Sequence, residues 1–428
     1  MRLSGIARYT ARPFRTALRV DAAAPVRRAP GLVFIWITVA LDILAIGVVI
    51  PVLPHLIKQF VDGSVETAAW WVGVFGSAFA LAQFLASPVQ GALSDRFGRR
   101  PVVLLSNLGL GLDFVLMALA NTLPLLFLGR VLAGLTSASI STANAYIADI
   151  TPAEKRAGAF GMLGAAFGIG FVLGPALGGV LGEIDVRLPF WVAAGLSLAN
   201  FLYGFFVLPE SLPAEKRSPR FDVKRANPLG ALRLLAQARG VLGLAGVVFL
   251  SQLAHYVLPS VYVLYTDYRY GWSELDVGLT LGLVGLCNAF VQAVLVRKLV
   301  PHIGERRAVG IGLASGLLGF AWMGLAPTGT LFLLSVPLMA LWGLAGPATQ
   351  SLVTQRVDPT LQGRLQGSLA SLVSTAGIFG PFLFTAIFRL FIGEHPPAYL
   401  PGAAFLFSAA LLGAAWVLAH RATRPLAA

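Results

Sequence analysis

Between residues 32 and 419 the chain divides, at charged or Pro/Gly-rich breaks, into twelve apolar runs each long enough to cross a bilayer. They run roughly 32–57, 70–90, 101–120, 123–148, 160–181, 188–208, 240–265, 276–296, 307–326, 331–353, 366–389 and 400–419. A helix spanning the hydrocarbon core needs about 20 predominantly apolar residues at about 1.5 Å rise each. No segment alternates as a barrel strand would, and a backbone in lipid must satisfy its own hydrogen bonds, which leaves helices. With 57% hydrophobic and 12% charged residues, the chain is too apolar for a soluble domain of its length. The expected fold class is an all-α membrane protein with twelve transmembrane helices.

The formal net charge of +13 raises the question of a nucleic-acid partner, and the distribution of charge answers it. Counting alternate sides from the N-terminus, 27 of the 32 Lys and Arg fall in tails and loops of the starting side, four in the opposite loops, and Arg130 inside a run. By the positive-inside rule both termini are expected in the cytoplasm and the lipid bilayer is the partner; no nucleic acid is expected. Residues 1–31, with seven Arg, read as a basic cytoplasmic tail, with a transit peptide as the alternative. Cys287 is the one cysteine, so no intramolecular disulfide forms, and neither a metal cluster nor thiol chemistry is expected. Nothing points to an enzyme: there is no His/Asp metal cluster at the membrane surface.

A spacing of 206 residues recurs. It separates Gly174-Pro175 in run five from Gly380-Pro381 in run eleven, and Gly98 in "FGRRP" from Gly304 in "IGERR". "ITPAEKRAGAFG" and "VDPTLQGRLQG", after runs four and ten, match at nearly the same offset. Three such matches at equivalent positions indicate a duplicated six-helix unit. The expected organisation is a tail (1–31), a six-helix bundle (32–208), a basic cytoplasmic linker (209–239) with an amphipathic helix near 228–238, a second bundle (240–419) and a short tail (420–428).

Of 19 acidic residues only Asp42 and Asp113 lie within runs, and Arg130 is the only base there. A charge at the bilayer centre costs at least about 2.5–3.5 kcal/mol, which argues for a function or a tight pairing. Helical rise brings Asp113, entering from one side, and Arg130, entering from the other, to similar depth, so a pair between adjacent helices is sterically open to them. Asp42 falls nearer the cytoplasmic half. Either these groups load and release a proton as hydration and pairing change, or they form a static pair that orients helices.

The polar residues Gln83, Asn144, Gln252, His255, Asn288, Gln292 and Gln350 within runs are candidates to line a substrate cavity, the alternative being interhelical hydrogen bonding. Gly170, Gly174 and Gly178 recur every fourth residue and leave one helix face without side chains, with Gly179 beside them and Pro175 bending the helix. That face suits either a seam that opens and closes or a static packing groove. In "GALSDRFGRRP", Arg96, Arg99 and Arg100 hold the cytoplasmic side, Gly91 and Gly98 permit a tight turn, and Pro101 suits the first turn of run three. Asp95 is left over. As a latch it would bind the N-terminus of run eleven, near Gly367, whose helix dipole attracts an anion; the plainer reading is a turn that only sets topology.

Together these stretches resemble a known family. "GALSDRFGRRP" matches the signature between spans two and three of major facilitator transporters, and "GFVLGPALGG" resembles a motif of the drug/proton antiporter branch. "VALDILAIGVVIPVLP", "GRVLAG", "AYIADIT", "LPES", "GERRA" and "QGSLASL" are similar to stretches of the tetracycline-resistance efflux proteins. The resemblance implies proton-coupled antiport of a small amphiphilic drug across a bacterial inner membrane, driven by the proton gradient without a bound cofactor. If the substrate is a tetracycline, it would travel as a drug–metal complex. The resemblance also implies coupling roles for Asp42, Asp113 and Arg130, and a charge network of Asp95, Arg99 and Asp149. The chain departs from the pattern in its second half, where Asn288 and Ser315 stand at positions that carry a His and an Asp in the tetracycline proteins; Gln292 does match. Export of another drug, or transport of a metabolite, is the alternative this departure raises.

Overall fold

A computed structural model describes residues 30–137, 139–152, 155–218, 241–357 and 362–423. The expected N-terminal tail, the linker helix near 228–238 and the last residues of the C-terminal tail lie outside these. Among the described residues there is no strand, and twelve helices are long and apolar enough to cross a membrane. In chain order they are α1 (Gly31–Gln59), α2 (Val65–Phe97), α3 (Arg99–Leu119), α4 (Leu123–Ile150), α5 (Gly158–Ile184), α6 (Leu188–Val207), α7 (Val241–Tyr270), α8 (Glu274–Ile303), α9 (Glu305–Leu325), α10 (Gly329–Thr354), α11 (Leu365–Ile392) and α12 (Ala403–Ala422).

The duplication is visible in the packing. α1 packs on α5 and α6, α3 on α4 and α6; six helices later, α7 packs on α11 and α12, and α9 on α10 and α12. The equivalent glycines Gly98 and Gly304 both adopt positive φ, +106° and +80°, at the tight junction before α3 and α9. Gly91 is a correction. α2 continues through it to Phe97, so the turn rests on Gly98 alone.

Several helices are broken where a membrane helix can afford it only inside protein. α1 turns at Ile50–Val52 before a terminal segment Leu53–Gln59 with proline in its first turn. α4 is interrupted between Thr136 and Ser139. α8 carries a π-helical turn, Val291–Leu295, facing a 3-10 turn, Leu341–Leu344, in α10.

Candidate functional site

The two sets of six helices meet along α5–α8 and α2–α11. On α5 the contact face carries Gly182 and Gly179 against Glu274 and Gly278, then Pro175, then Phe171 against Gly285. Further along that face, side chains added at Gly168, Gly164 or Gly161 would meet nothing within 4 Å. The α2–α11 seam behaves alike: Gly73 and Gly76 meet Thr385 and Pro381, whereas Gly91 and Gly367 meet nothing. The halves are therefore joined at one end of the membrane and splayed at the other. The splayed end carries Arg96, Arg99 and Arg100 and is called here the basic end. The joined end is closed by Lys58 with Asp267 at 2.6 Å and Arg389 with Glu66 at 2.9 Å.

A cavity of about 420 Å³ lies in the first six helices. Its exposed wall is mostly apolar, with Ile46, Ile50, Phe79 and Phe114, and it also carries Gln83, Arg130, Asn144 and five serines, Ser106 among them. Convergent polar groups in an apolar hollow are the usual make-up of a small-molecule site. Gln83 donates to Ser137 Oγ at 2.9 Å, at the break in α4. The Arg130 guanidinium lies 4.9 Å from the Phe79 ring centroid, a cation–π arrangement that leaves it facing the cavity.

Asp113 is 2% exposed, and neither carboxylate oxygen has a hydrogen-bond partner. The expected pair with Arg130 is not made: Arg130 Nη1 reaches Met117 Sδ at 4.0 Å instead. Equal depth did not fix helical phase. Asp113 points between α3 and α4 onto Gly129, while Arg130, one residue on, is turned toward the cavity.

Asp42 is fully buried and held by amides. Asn200 Nδ2 on α6 donates to Asp42 Oδ1 and to the Thr38 carbonyl, each at 2.8 Å. The Asn107 amide on α3, in the orientation that satisfies both its ends, donates to the Asp42 oxygens at 3.3 and 3.2 Å and accepts from Asn200. Neither asparagine is singled out by the sequence reading. Their signal is plain in retrospect: two amides in largely apolar runs, Asn107 eight residues after the start of α3 and Asn200 seven before the end of α6.

At the basic end the structure brings Asp95, Arg99 and Asp149 together, with Arg99 Nη1 2.5 Å from Asp95 Oδ1 and Nε 3.0 Å from Asp149 Oδ2. Glu210, in "LPES", was missed. Its carboxylate accepts from the backbone N–H groups of Arg99 at 2.8 Å and Arg100 at 3.3 Å, capping α3 where Gly98 cannot. Ser211 Oγ donates to Asp149 at 3.2 Å, so the segment after α6 ties into the same network. Arg100 donates to the Phe205 carbonyl and Arg96 lies over Phe97. Among the described residues Asp95 has no ion-pair partner on α11, and a Cβ built on Gly367 would meet nothing within 4 Å.

The glycine ridge resolves into two faces. Gly170, Gly174 and Gly178 pack on Ile43, Gly47 and Val48 of α1, within the same half, whereas Gly179 and the Pro175 carbonyl face α8 across the seam. The recurring trio is thus a packing groove, and the adjacent residues serve the seam.

The second-half candidates do not join the cavity wall. Ser315 is 6% exposed and bonds back to the Ile311 carbonyl at 2.7 Å. Asn288 bonds back to Val284 at 3.0 Å, and Gln292 donates to the Gly343 carbonyl at 3.2 Å, joining the π turn of α8 to the 3-10 turn of α10. Gln350 donates to Gln366 on α11 at 2.8 Å. His255 is exposed, with its ring 5.8 Å from that of Trp342, and Gln252 hydrogen-bonds Tyr256. Among the described residues no group of His, Cys, Asp and Glu is arranged to hold a metal ion.

Comparison with known proteins agrees with this architecture. The Major Facilitator Superfamily profile matches residues 35–381 and 244–427. "Tetracycline resistance protein, class C" of Escherichia coli is 40% identical over 357 residues, covering 83% of this chain and 89% of that protein. The class H protein of Pasteurella multocida is 33% identical over 392 residues, covering 91% and 95%. Among solved structures, the human organic anion transporter MFSD10 (TETRAN) superposes with a TM-score of 0.68 at 26% identity, covering 91% of this chain and 99% of that one. The nucleoside transporter NupG, at 13% identity, shares the fold with a TM-score of 0.75 over 92% of this chain and 100% of its own. The chain is a multi-pass membrane protein and a transporter, not an enzyme, and it belongs to the major facilitator superfamily.

Proposed function

We propose that the protein is a proton-coupled antiporter that exports a small amphiphilic, tetracycline-like drug across a bacterial inner membrane by alternating access. In this reading the basic end faces the cytoplasm, with both termini on that side. The units 32–208 and 240–419 rock about the seams, and 209–239 links them. The observation that carries the reading is a drug-sized cavity in which Arg130 faces the substrate space while the nearby Asp113 is buried with both oxygens unpartnered. An unpaired carboxylate in such a site is a costly anion. A proton neutralises it; movement that brings Arg130 or water to the carboxylate would release that proton. Asp42, already bonded to two amides, is the second coupling group. The driving force is the proton gradient, with no bound cofactor, and a tetracycline would enter as its complex with a divalent metal ion, as cargo.

The named relatives support a tetracycline over other drugs. One observation favours a different cargo: Asn288 and Ser315 carry no charge, and both bond back to their own helices. A susceptibility panel in an efflux-deficient bacterial host, comparing the wild type with Asp113→Asn, tests the assignment. Protection against tetracyclines that the variant loses is the expected result; protection only against other compounds would replace the substrate class.

A further inference from the structure

The joined end holds an ionisable cluster that the cavity and the basic-end network do not use. His55 and Lys58 lie on the terminal segment of α1, Asp267 near the end of α7, and Glu274 at the start of α8. Lys58 Nζ is 2.6 Å from Asp267 Oδ2. His55 is 8% exposed and sits between the two carboxylates of the other half, with Nε2 3.9 Å from Asp267 Oδ2 and Nδ1 3.5 Å from Glu274 Oε1. Nδ1 is also 3.2 Å from the Pro51 carbonyl oxygen.

Nδ1 lies between two acceptors, while Nε2 faces the Asp267 carboxylate at ion-pair rather than hydrogen-bond distance. A neutral imidazole protonated on Nδ1 can donate there but turns the Nε2 lone pair toward a carboxylate; the imidazolium presents a proton on both sides. Charge gives the same answer. With neutral His55 the cluster has one cation, Lys58, against two carboxylates, and Lys58 is engaged by Asp267. Glu274 then has no ion-pair partner, because His55 is the only basic group within 4 Å of it among the described residues. The remaining surroundings supply no substitute. α5 presents Gly179 and Gly182 to Glu274, Glu66 of α2 is paired with Arg389 of α11, Arg187 lies over the far-side Phe60 ring, and Asp276 is occupied by Ser273.

We propose that His55 is a proton-binding site whose occupied form clasps Asp267 and Glu274 and holds this end of the transporter shut, and that loss of the proton frees the end to open. The clasp is made by a bound proton, so it responds to the pH of the compartment this end faces. In an antiporter driven by protons from that compartment, acid on that side favours the state seen here, closed there and open at the basic end. The inference rests on the alternating-access reading, since a clasp matters only if the end opens.

The test is pulsed electron–electron spin resonance on the full chain in lipid nanodiscs, with Cys287→Ser as background and nitroxides at Gln59→Cys and Arg269→Cys. Both positions are exposed and lie on the two segments the cluster joins. With His55 present, the short-distance population is expected to fall between about pH 5.5 and about pH 8. With His55→Gln that response should be diminished, the remainder coming from the coupling acids Asp42 and Asp113. Glu274→Gln, which keeps the imidazole but removes its partner, should deplete the short-distance population at acid pH, and provides the same test if His55→Gln does not insert. An undiminished pH response in His55→Gln and Glu274→Gln overturns the proposal while leaving the opening of this end, and alternating access, intact. A single unchanging distance in all three proteins overturns it as well, and drug export measured on the same samples then decides separately whether the transport reading survives.

Discussion

A Cβ built on Gly129 would lie 2.7 Å from Asp113 Oδ1. The glycine is what lets the carboxylate of α3 sit flush against α4 with no donor of its own, one residue from the cavity-facing Arg130. Gly129→Ala should therefore act on Asp113. Alanine is favoured over glycine in a helix by about 1 kcal/mol, so loss of the helix itself is not the expected outcome. The carboxylate must move, and drug-dependent proton flux in inverted vesicles should fall toward the level of Asp113→Asn with the protein still inserted. Wild-type flux in Gly129→Ala would mean that the placement of Asp113 against α4 is not required.

Asn200 bonds both the Asp42 carboxylate and the Thr38 carbonyl, so it links α6 to α1 at two points. Hydrogen bonds to charged groups contribute about 1.5–3 kcal/mol, and an abandoned buried acceptor costs more than a bond removed with both its partners. Asn200→Ala should lower the unfolding midpoint in detergent, while Asn200→Ala combined with Asp42→Asn should lose less than the two single changes added together. Strict additivity would show that the two side chains do not depend on each other.

The twelve spans and their pseudo-repeat follow from hydropathy and the 206-residue offset, because lipid leaves the backbone few alternatives. The three intramembrane charges were equally legible, since each stands out in an apolar run. What failed was phase: depth along a helix can be counted from its end, but whether Arg130 turns toward Asp113 or the cavity depends on how α3 and α4 are rotated, which the run does not encode. The same ambiguity hid the split between Gly174 and Gly179, adjacent faces of one helix. Gln292 was noticed as a polar group, yet its π turn has no sequence mark, and Glu210 was absorbed into a charged linker because its partners are backbone N–H groups far along the chain.

Glu210, just after the end of α6, caps α3 by accepting from the Arg99 and Arg100 backbone N–H groups. An anion at a helix N-terminus contributes about 0.3–1 kcal/mol beyond its hydrogen bonds. Glu210→Ala should speed amide exchange at Arg99 and Arg100 and reduce export by loosening the Asp95–Arg99–Asp149 network. Glu210→Gln, which keeps one acceptor, should fall between. Unchanged exchange at both amides would rule out the cap.

Gly174 and Gly179 lie five residues apart on α5 but meet different helices, and the difference separates stability from conformational balance. A Cβ on Gly174 would come 2.6 Å from Gly47 Cα, and on Gly179 2.6 Å from the Glu274 carbonyl oxygen. In both cases the obstacle is backbone, which cannot turn aside. Under the proposed alternating access, α1 and α5 belong to one half and stay packed, so Gly174→Ala has no state in which the clash is relieved; overpacking of this kind costs typically 1–3 kcal/mol. In the same proposal Gly179 meets α8 only while this end is closed, so Gly179→Ala can escape by opening it. Gly174→Ala should lower the unfolding midpoint without moving the nitroxide distance between residues 59 and 269, and Gly179→Ala should lengthen that distance with a smaller change in midpoint. If both variants shift both readouts alike, the two faces of α5 are not separable, and the seam extends to α1.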